Sequence, residues 1–159
     1  MRIKDIMTRE VRRCTLETSL TEVARLMRGG CCGAIPVVDD DGRVAGVVTD
    51  RDITLALVSS TRKPINIAAR EIMKPHVHAC APDDDVRTAL AMMTEFRVRR
   101  LPVIGPDARL AGIVSMDDII LRALAPDAPD SSEIVNSLRE IVMHMEDDSV
   151  VMEPSSLGG

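Results

Sequence analysis

Apolar residues at helical spacing mark two places in the chain. Leu20, Val23, Ala24 and Met27 stand at i, i+3, i+4 and i+7, and Val86, Ala89, Leu90 and Met93 repeat the spacing. That stripe is what one buried helix face needs. Ser19 with Glu22 supplies a cap for the first helix, Gly29-Gly30 end it, and Asp85 is the matching N-cap of the second. The pattern then changes to runs rich in β-branched residues. Ala34 to Val38 and Arg43 to Val48 flank the turn Asp39-Asp40-Asp41-Gly42, and Arg100 to Ile104 and Arg109 to Val114 flank Gly105-Pro106-Asp107-Ala108. Each set predicts a hairpin. Short extended segments are expected ahead of the helices, at Val11 to Cys14 and Val77 to Cys80.

The second strand of each hairpin runs into a shared motif. Gly46 to Asp52 reads G-V-V-T-D-R-D and Gly112 to Asp118 reads G-I-V-S-M-D-D, 66 positions later. The same offset places Ile6-Met7 on Ile72-Met73, Cys14 on Cys80, Met27 on Met93, Pro36-Val37 on Pro102-Val103 and Arg43 on Arg109. An internal repeat therefore covers about residues 3–58 and 69–124. Ile53, Leu55 and Leu57, and Ile119, Leu121 and Leu124, predict a short apolar helix after each motif. The fold class expected is α+β, two β-α-β-β-α units packed together, because neither small sheet could bury both faces alone. The divisions expected are 1–60 for the first repeat, 61–126 for linker and second repeat, and 127–159 for a C-terminal helix and tail. Pro64 marks the linker, Ser59 to Asn66. Beyond the Ala125 to Pro129 break, Ser131-Ser132-Glu133 reads as a helix start, with Ile134, Leu138, Ile141, Val142 and Met145 on one face. Glu153 to Gly159 reads as a loose tail.

Thr49 and Ser115 thus sit where a strand turns into a helix, each three residues before an aspartate. A hydroxyl followed three places later by an acid is a capping box, which satisfies backbone donors at a helix start. The same geometry suits a phosphate, since free N–H groups and the positive dipole end lie there, and a nearby carboxylate accepts from a ribose diol.

Composition narrows the classes. The 159 residues are 45% hydrophobic and 28% charged, so a packed core is expected. A net charge of −5 gains little from phosphate counterion release, and one Phe with no Trp or Tyr leaves no stacking platform. Nucleic acid is not an expected partner. No apolar run approaches the roughly 20 residues that span a bilayer, and the first residues lack a signal peptide's apolar stretch, so no membrane insertion and a cytoplasmic location are expected. No nucleophile–base pair, metal-ligand helix or phosphate-binding loop of the nucleotide hydrolases stands out, so an enzyme is not expected.

Two β-α-β-β-α repeats, each with an apolar-Pro-Val strand and a G-h-h-T/S-x-x-D/N motif, resemble the cystathionine-β-synthase (CBS) domain pair, or Bateman module. The resemblance covers Ile3 to Leu124 and implies a pseudo-twofold disc whose clefts bind AMP, ADP, ATP, NAD or S-adenosylmethionine to regulate another protein. It puts Asp52 and Asp118 on ribose hydroxyls and Thr49 and Ser115 on phosphate or ribose. The backbone around Ala34-Ile35-Pro36 and Arg100-Leu101-Pro102 would flank the adenine, and Arg99 and Arg100 would meet phosphate. The first repeat has Gly33-Ala34 in place of Arg99-Arg100, so unequal clefts are expected. A homodimer through the motif helices and an unknown downstream protein target complete the reading.

Other groupings carry alternatives. His76, His78 and Cys80 alternate on the expected strand, as zinc ligands could, though no fourth ligand is evident. Cys31-Cys32 are expected buried, since only Arg28 nearby would activate a thiol. Arg97, Arg99 and Arg100 form either a solvated face or an anion site, and strand alternation sends only one of Arg99 and Arg100 into a cleft. The rival functional classes are an interaction or oligomerisation protein with vestigial clefts, and a zinc or redox sensor.

Overall fold

The computed structural model describes the backbone of residues 1–147 and side chains through residue 143; the tail expected over Glu153 to Gly159 and the side chain of Met145 lie outside it. The elements are α1 (Ile3–Ile6), β1 (Cys14–Thr15), α2 (Leu20–Gly30), β2 (Ala34–Val38), β3 (Val44–Thr49), α3 (Asp50–Ser59), α4 (Val86–Glu95), β4 (Arg100–Ile104), β5 (Leu110–Ser115), α5 (Met116–Leu121) and α6 (Ser131–Asp147). Short 3-10 turns at Pro64–Asn66 and Ala69–Glu71 carry the linker into the second repeat.

Both hairpins form, with the same register. Ala34 faces Thr49 and Arg100 faces Ser115, and a bulge follows Val37 in one and Val103 in the other. The leading strands are shorter than the expected Val11 to Cys14 and Val77 to Cys80. Cys14–Thr15 pair in parallel with Val37 and Val38, and Cys80 makes a single parallel bridge to Val103. The next residues along the neighbouring strands are Pro36 and Pro102, which have no N–H to donate, so the ladder stops there.

Each repeat's leading residues complete the other repeat's sheet. Thr8 exchanges two hydrogen bonds with Ile113 of β5, at 2.9 and 2.9 Å, and Lys74 exchanges two with Val47 of β3, at 3.0 and 3.3 Å. The cores follow the same exchange. Ile3, Ile6 and Met7 are buried with Leu90, Met93, Leu101 and Ile119 of the second repeat, while Ala69, Ile72 and Met73 pack with Val23, Ile35 and Val48 of the first. Each fully buried side chain of this kind contributes about 1.5–3 kcal/mol, and neither core holds its full set without the other repeat.

Helix ends show where sequence and structure part. Ser19 Oγ accepts from the Glu22 N–H at 3.3 Å and Asp85 Oδ1 from Arg87 N–H at 2.9 Å, as expected of caps. The helix stop expected at Gly29-Gly30 falls on Cys31, with φ 48°, and its counterpart Arg97 has φ 55°. There the chain turns away from the helix, which leaves Cys31 exposed and Cys32 half-buried, against the burial expected of both. Cys14 and Cys80 are buried, and burial pushes both thiols up to about 11. Leu124 lies beyond α5, which ends at Leu121. Asp130 caps α6, its Oδ1 accepting from the Glu133 N–H at 2.9 Å. Ile134 and Ile141 seal α6 onto the second core, with Leu138 packed against it, whereas Val142, expected on that face, is exposed.

Candidate functional site

At both motif turns the hydroxyl and carboxylate close a reciprocal cap. Thr49 Oγ1 donates to Asp52 Oδ2 at 2.6 Å, Thr49 N–H donates to the same oxygen at 2.8 Å, and Asp52 N–H donates back to Oγ1 at 3.2 Å. Ser115 and Asp118 repeat these contacts at 2.6, 2.8 and 3.2 Å. The first helical N–H of each turn is also taken: Asp50 N–H donates to Gly33 O at 3.0 Å and Met116 N–H to Arg99 O at 2.9 Å. The motif glycines mark where the exchanged chain crosses. A Cβ on Gly46 would lie 2.6 Å from Met73 Sδ and 3.0 Å from Lys74 O, and one on Gly112 would lie 2.8 Å from Thr8 O.

A cleft of about 410 Å³ opens beside Asp52, within the range of about 300–1,000 Å³ usual for small-molecule sites. Leu55, Ala56 and Ser59 of α3 form one wall, Ser60 and Arg62 of the linker a second, and Ile67, Glu71 and Ile72 of the exchanged segment a third. Asp52 is 11% exposed, and Lys74 Nζ stands 3.9 Å from its Oδ1. Arg62 grips Glu71 with both terminal nitrogens, at 2.9 Å each. That grip, with a hydrogen bond from Ala68 N–H, holds the Glu71 carboxyl down to about 2.

The other sequence-predicted residues distribute as follows. Ala34 and Arg100 head the first strands of the hairpins, directly opposite Thr49 and Ser115. Ile35, Pro36, Leu101 and Pro102 are buried, Ile35 and Leu101 completely, so none of the four presents a side chain to a ligand. Arg100 is half-buried with Nη2 3.9 Å from Asp117 Oδ2, while Arg99 is exposed. Sequence reasoning missed Arg62, Glu71, Ile67, Ile72 and Lys74. Their positions depend on the exchange, which the 66-residue offset of Ile6-Met7 and Ile72-Met73 does not by itself reveal.

The metal alternative fares differently from its expected geometry. His78 stacks on Phe96 with ring centroids 3.4 Å apart, and Cys80 turns into the core, its thiol near Pro102 O at 3.8 Å. The described residues hold no group of three or more His, Cys, Asp or Glu arranged for a metal ion. None of the described helices is long and apolar enough to cross a membrane.

A family model described as CBS domain matches residues 3–59 and 69–125. The uncharacterized protein YlbB of Bacillus subtilis is 36% identical over 121 residues, covering 76% of this chain and 80% of that protein. The chain spans half the length of another relative, an uncharacterized protein of Methanopyrus kandleri, 33% identical over 62% of this chain. Among solved structures, hypoxic response protein I with two coordinated zinc ions is 33% identical with a TM-score of 0.70, covering 76% of this chain and 98% of that one. The CBS domain pair of protein MJ0100 with 5′-methylthioadenosine and S-adenosyl-L-methionine has a TM-score of 0.68 at 27% identity, covering 76% and 98%. CBSX2 in complex with AMP has a TM-score of 0.67 at 25% identity, covering 77% and 96%.

Proposed function

The chain belongs to the CBS domain family, its two repeats making one pair, and we propose that it is a non-catalytic regulatory module that binds an adenosine-containing ligand beside Asp52. One observation carries the reading: the cleft of about 410 Å³ has the motif aspartate at its wall and groups from both repeats around it. Relatives of the same fold with AMP, or with 5′-methylthioadenosine and S-adenosyl-L-methionine, support the ligand class.

In this reading Asp52 keeps Oδ2 on the cap and offers Oδ1 to a ribose hydroxyl. Thr49 and the backbone near Ala34 lie at the same end of the hairpin. Ile67, Ile72 and Leu55 supply an apolar surface for the base. The second repeat offers a related but unequal setting, with Asp118 for ribose, Ser115 beside it and Arg100 as the cation. A ligand that fits one arrangement of the repeats better than another shifts the population by its difference in affinity. Because each repeat's leading residues bridge to the other's sheet and fill its core, such a shift reaches the faces of α3 and α5 together. Those faces form a dimer surface, and the module acts on a separate protein target in the cytoplasm.

A thermal-shift panel of AMP, ADP, ATP, NAD, S-adenosylmethionine and zinc tests the reading. A ligand bound only by the folded chain adds about 2.7 kcal/mol of stability at about 100 times its Kd. A response to an adenosine compound supports the proposal; a response to zinc alone overturns it.

A further inference from the structure

The arginine that lines the Asp52 cleft is already held by an acid of the chain's own. Arg62 Nη1 donates to Glu71 Oε2 and Nη2 to Oε1, both at 2.9 Å, and Nη2 donates also to Asn66 O at 2.5 Å. A guanidinium has five N–H donors, so Nε–H and one Nη1–H remain. The paired fork, the edge that best matches a carboxylate or phosphate, is occupied. Both residues line the cleft together with Ser59 and Ser60. Arg62 belongs to the linker and lies outside the repeated unit. Glu71 does have a counterpart, Asp5, which accepts from the Arg2 N–H at 3.1 Å much as Glu71 accepts from the Ala68 N–H at 2.8 Å. The cap is common to both repeats; the arginine is an addition at one cleft.

We infer that Glu71 is a built-in competitor for the anionic end of the ligand, holding Arg62 until a phosphate group displaces it. The inference rests on the reading of the Asp52 cleft as a nucleoside site. Displacement leaves neither partner stranded: Glu71 keeps the Ala68 N–H, and Arg62 keeps the Asn66 carbonyl. A phosphate brings about −1.5 to −2 charges and three acceptor oxygens against the single charge of the carboxylate it replaces. Arg62 and Glu71 therefore set the preference for a phosphorylated ligand over the bare nucleoside.

Calorimetry on the full chain with AMP and adenosine tests this, using Glu71→Gln, Arg62→Gln and the double variant. Glutamine at 71 retains an oxygen for the Ala68 N–H, and melting curves check that each variant is folded. The site concerned is the one lost in Asp52→Ala. Glu71→Gln is expected to tighten AMP by about two- to five-fold, the range set by an exposed ion pair, and to leave adenosine unchanged. Arg62→Gln is expected to weaken AMP by about ten-fold or more, again without effect on adenosine. In the double variant the gain from Glu71→Gln should vanish, whereas simple relief of negative charge would persist. An AMP affinity indifferent to Glu71→Gln, or a gain that survives without Arg62, overturns the inference while adenosine binding keeps the cleft reading intact. Failure of the wild type to bind either compound removes this inference, and failure with every adenosine ligand of the thermal-shift panel removes the cleft reading as well.

Discussion

Arg43 and Arg109 pair with each other in an antiparallel bridge, and each is the other's equivalent in the 66-residue repeat. A residue can pair with its own repeat copy only where the pseudo-twofold axis passes. The other bridges between the repeats come in matched sets around it: Arg2 with Asp85 and Ala68 with Ser19, Thr8 with Ile113 and Lys74 with Val47. The two halves therefore share their sheets' edges and cores, with the Asp52 cleft on the seam.

The crossing points should be intolerant of side chains. Gly112→Ala sets a methyl 2.8 Å from the Thr8 carbonyl, a backbone atom that cannot swing aside. A loss of about 1–3 kcal/mol is expected, the scale of overpacking in a filled core. Urea unfolding measures it, and a single transition for both repeats should persist.

The hairpin turns carry a correctable strain. Gly42 sits at φ 81°, and its counterpart Ala108 at φ 63°. The left-handed region costs an L side chain roughly 1–2 kcal/mol. Ala108→Gly should therefore stabilise by up to about 1 kcal/mol after glycine's own entropy cost, while Gly42→Ala should destabilise by about as much. Paired melts of the two variants give opposite signs if the turn geometry is right.

Acid should act through Glu71. Its carboxyl is held down to about 2 in the folded chain against an ordinary 4.5. Folding thus favours the ionised form: the contribution is complete above pH 4.5 and is lost as pH falls toward 2. The stability difference between wild type and Glu71→Gln should be flat above that window and shrink through it, in unfolding titrations at a series of pH values.

The motif helices and the residues just after α5 expose apolar side chains, two of them at repeat-related positions. Leu121 is 80% exposed and Leu124 98%, with Val58, the equivalent of Leu124, at 83%. A symmetric dimer through these faces is expected. Light scattering should find a dimer that Leu121→Lys with Val58→Lys converts to monomer; a wild-type monomer at high micromolar concentration contradicts it.

Much of this architecture was legible in the chain because periodicity and the repeat reinforce each other. The α4 stripe, both hairpins and the Thr49/Asp52 and Ser115/Asp118 caps are local patterns, and they form as read; the α2 stripe does so at Leu20, Val23 and Met27, while Ala24, expected on the same face, is exposed. Pairing between distant segments was not legible. The offset aligns Ile6-Met7 with Ile72-Met73 but does not say which sheet each joins, so Arg62, Glu71 and Lys74 had no motif to announce them at the cleft. Cys31 escaped for a different reason: two glycines stood ready for the left-handed cap, and the helix ran one residue past them.

The proposal that the cleft beside Asp52 binds adenosine ligands is tested most directly by isothermal titration of AMP into the wild type and Asp52→Ala, below the melting temperature of both. Micromolar-range binding by the wild type, weakened in the variant by about ten-fold or more as a hydrogen bond to a charged group requires, is the expected result. Equal affinity in the two proteins, or no binding by the wild type to AMP or any of the other adenosine ligands, would contradict the account.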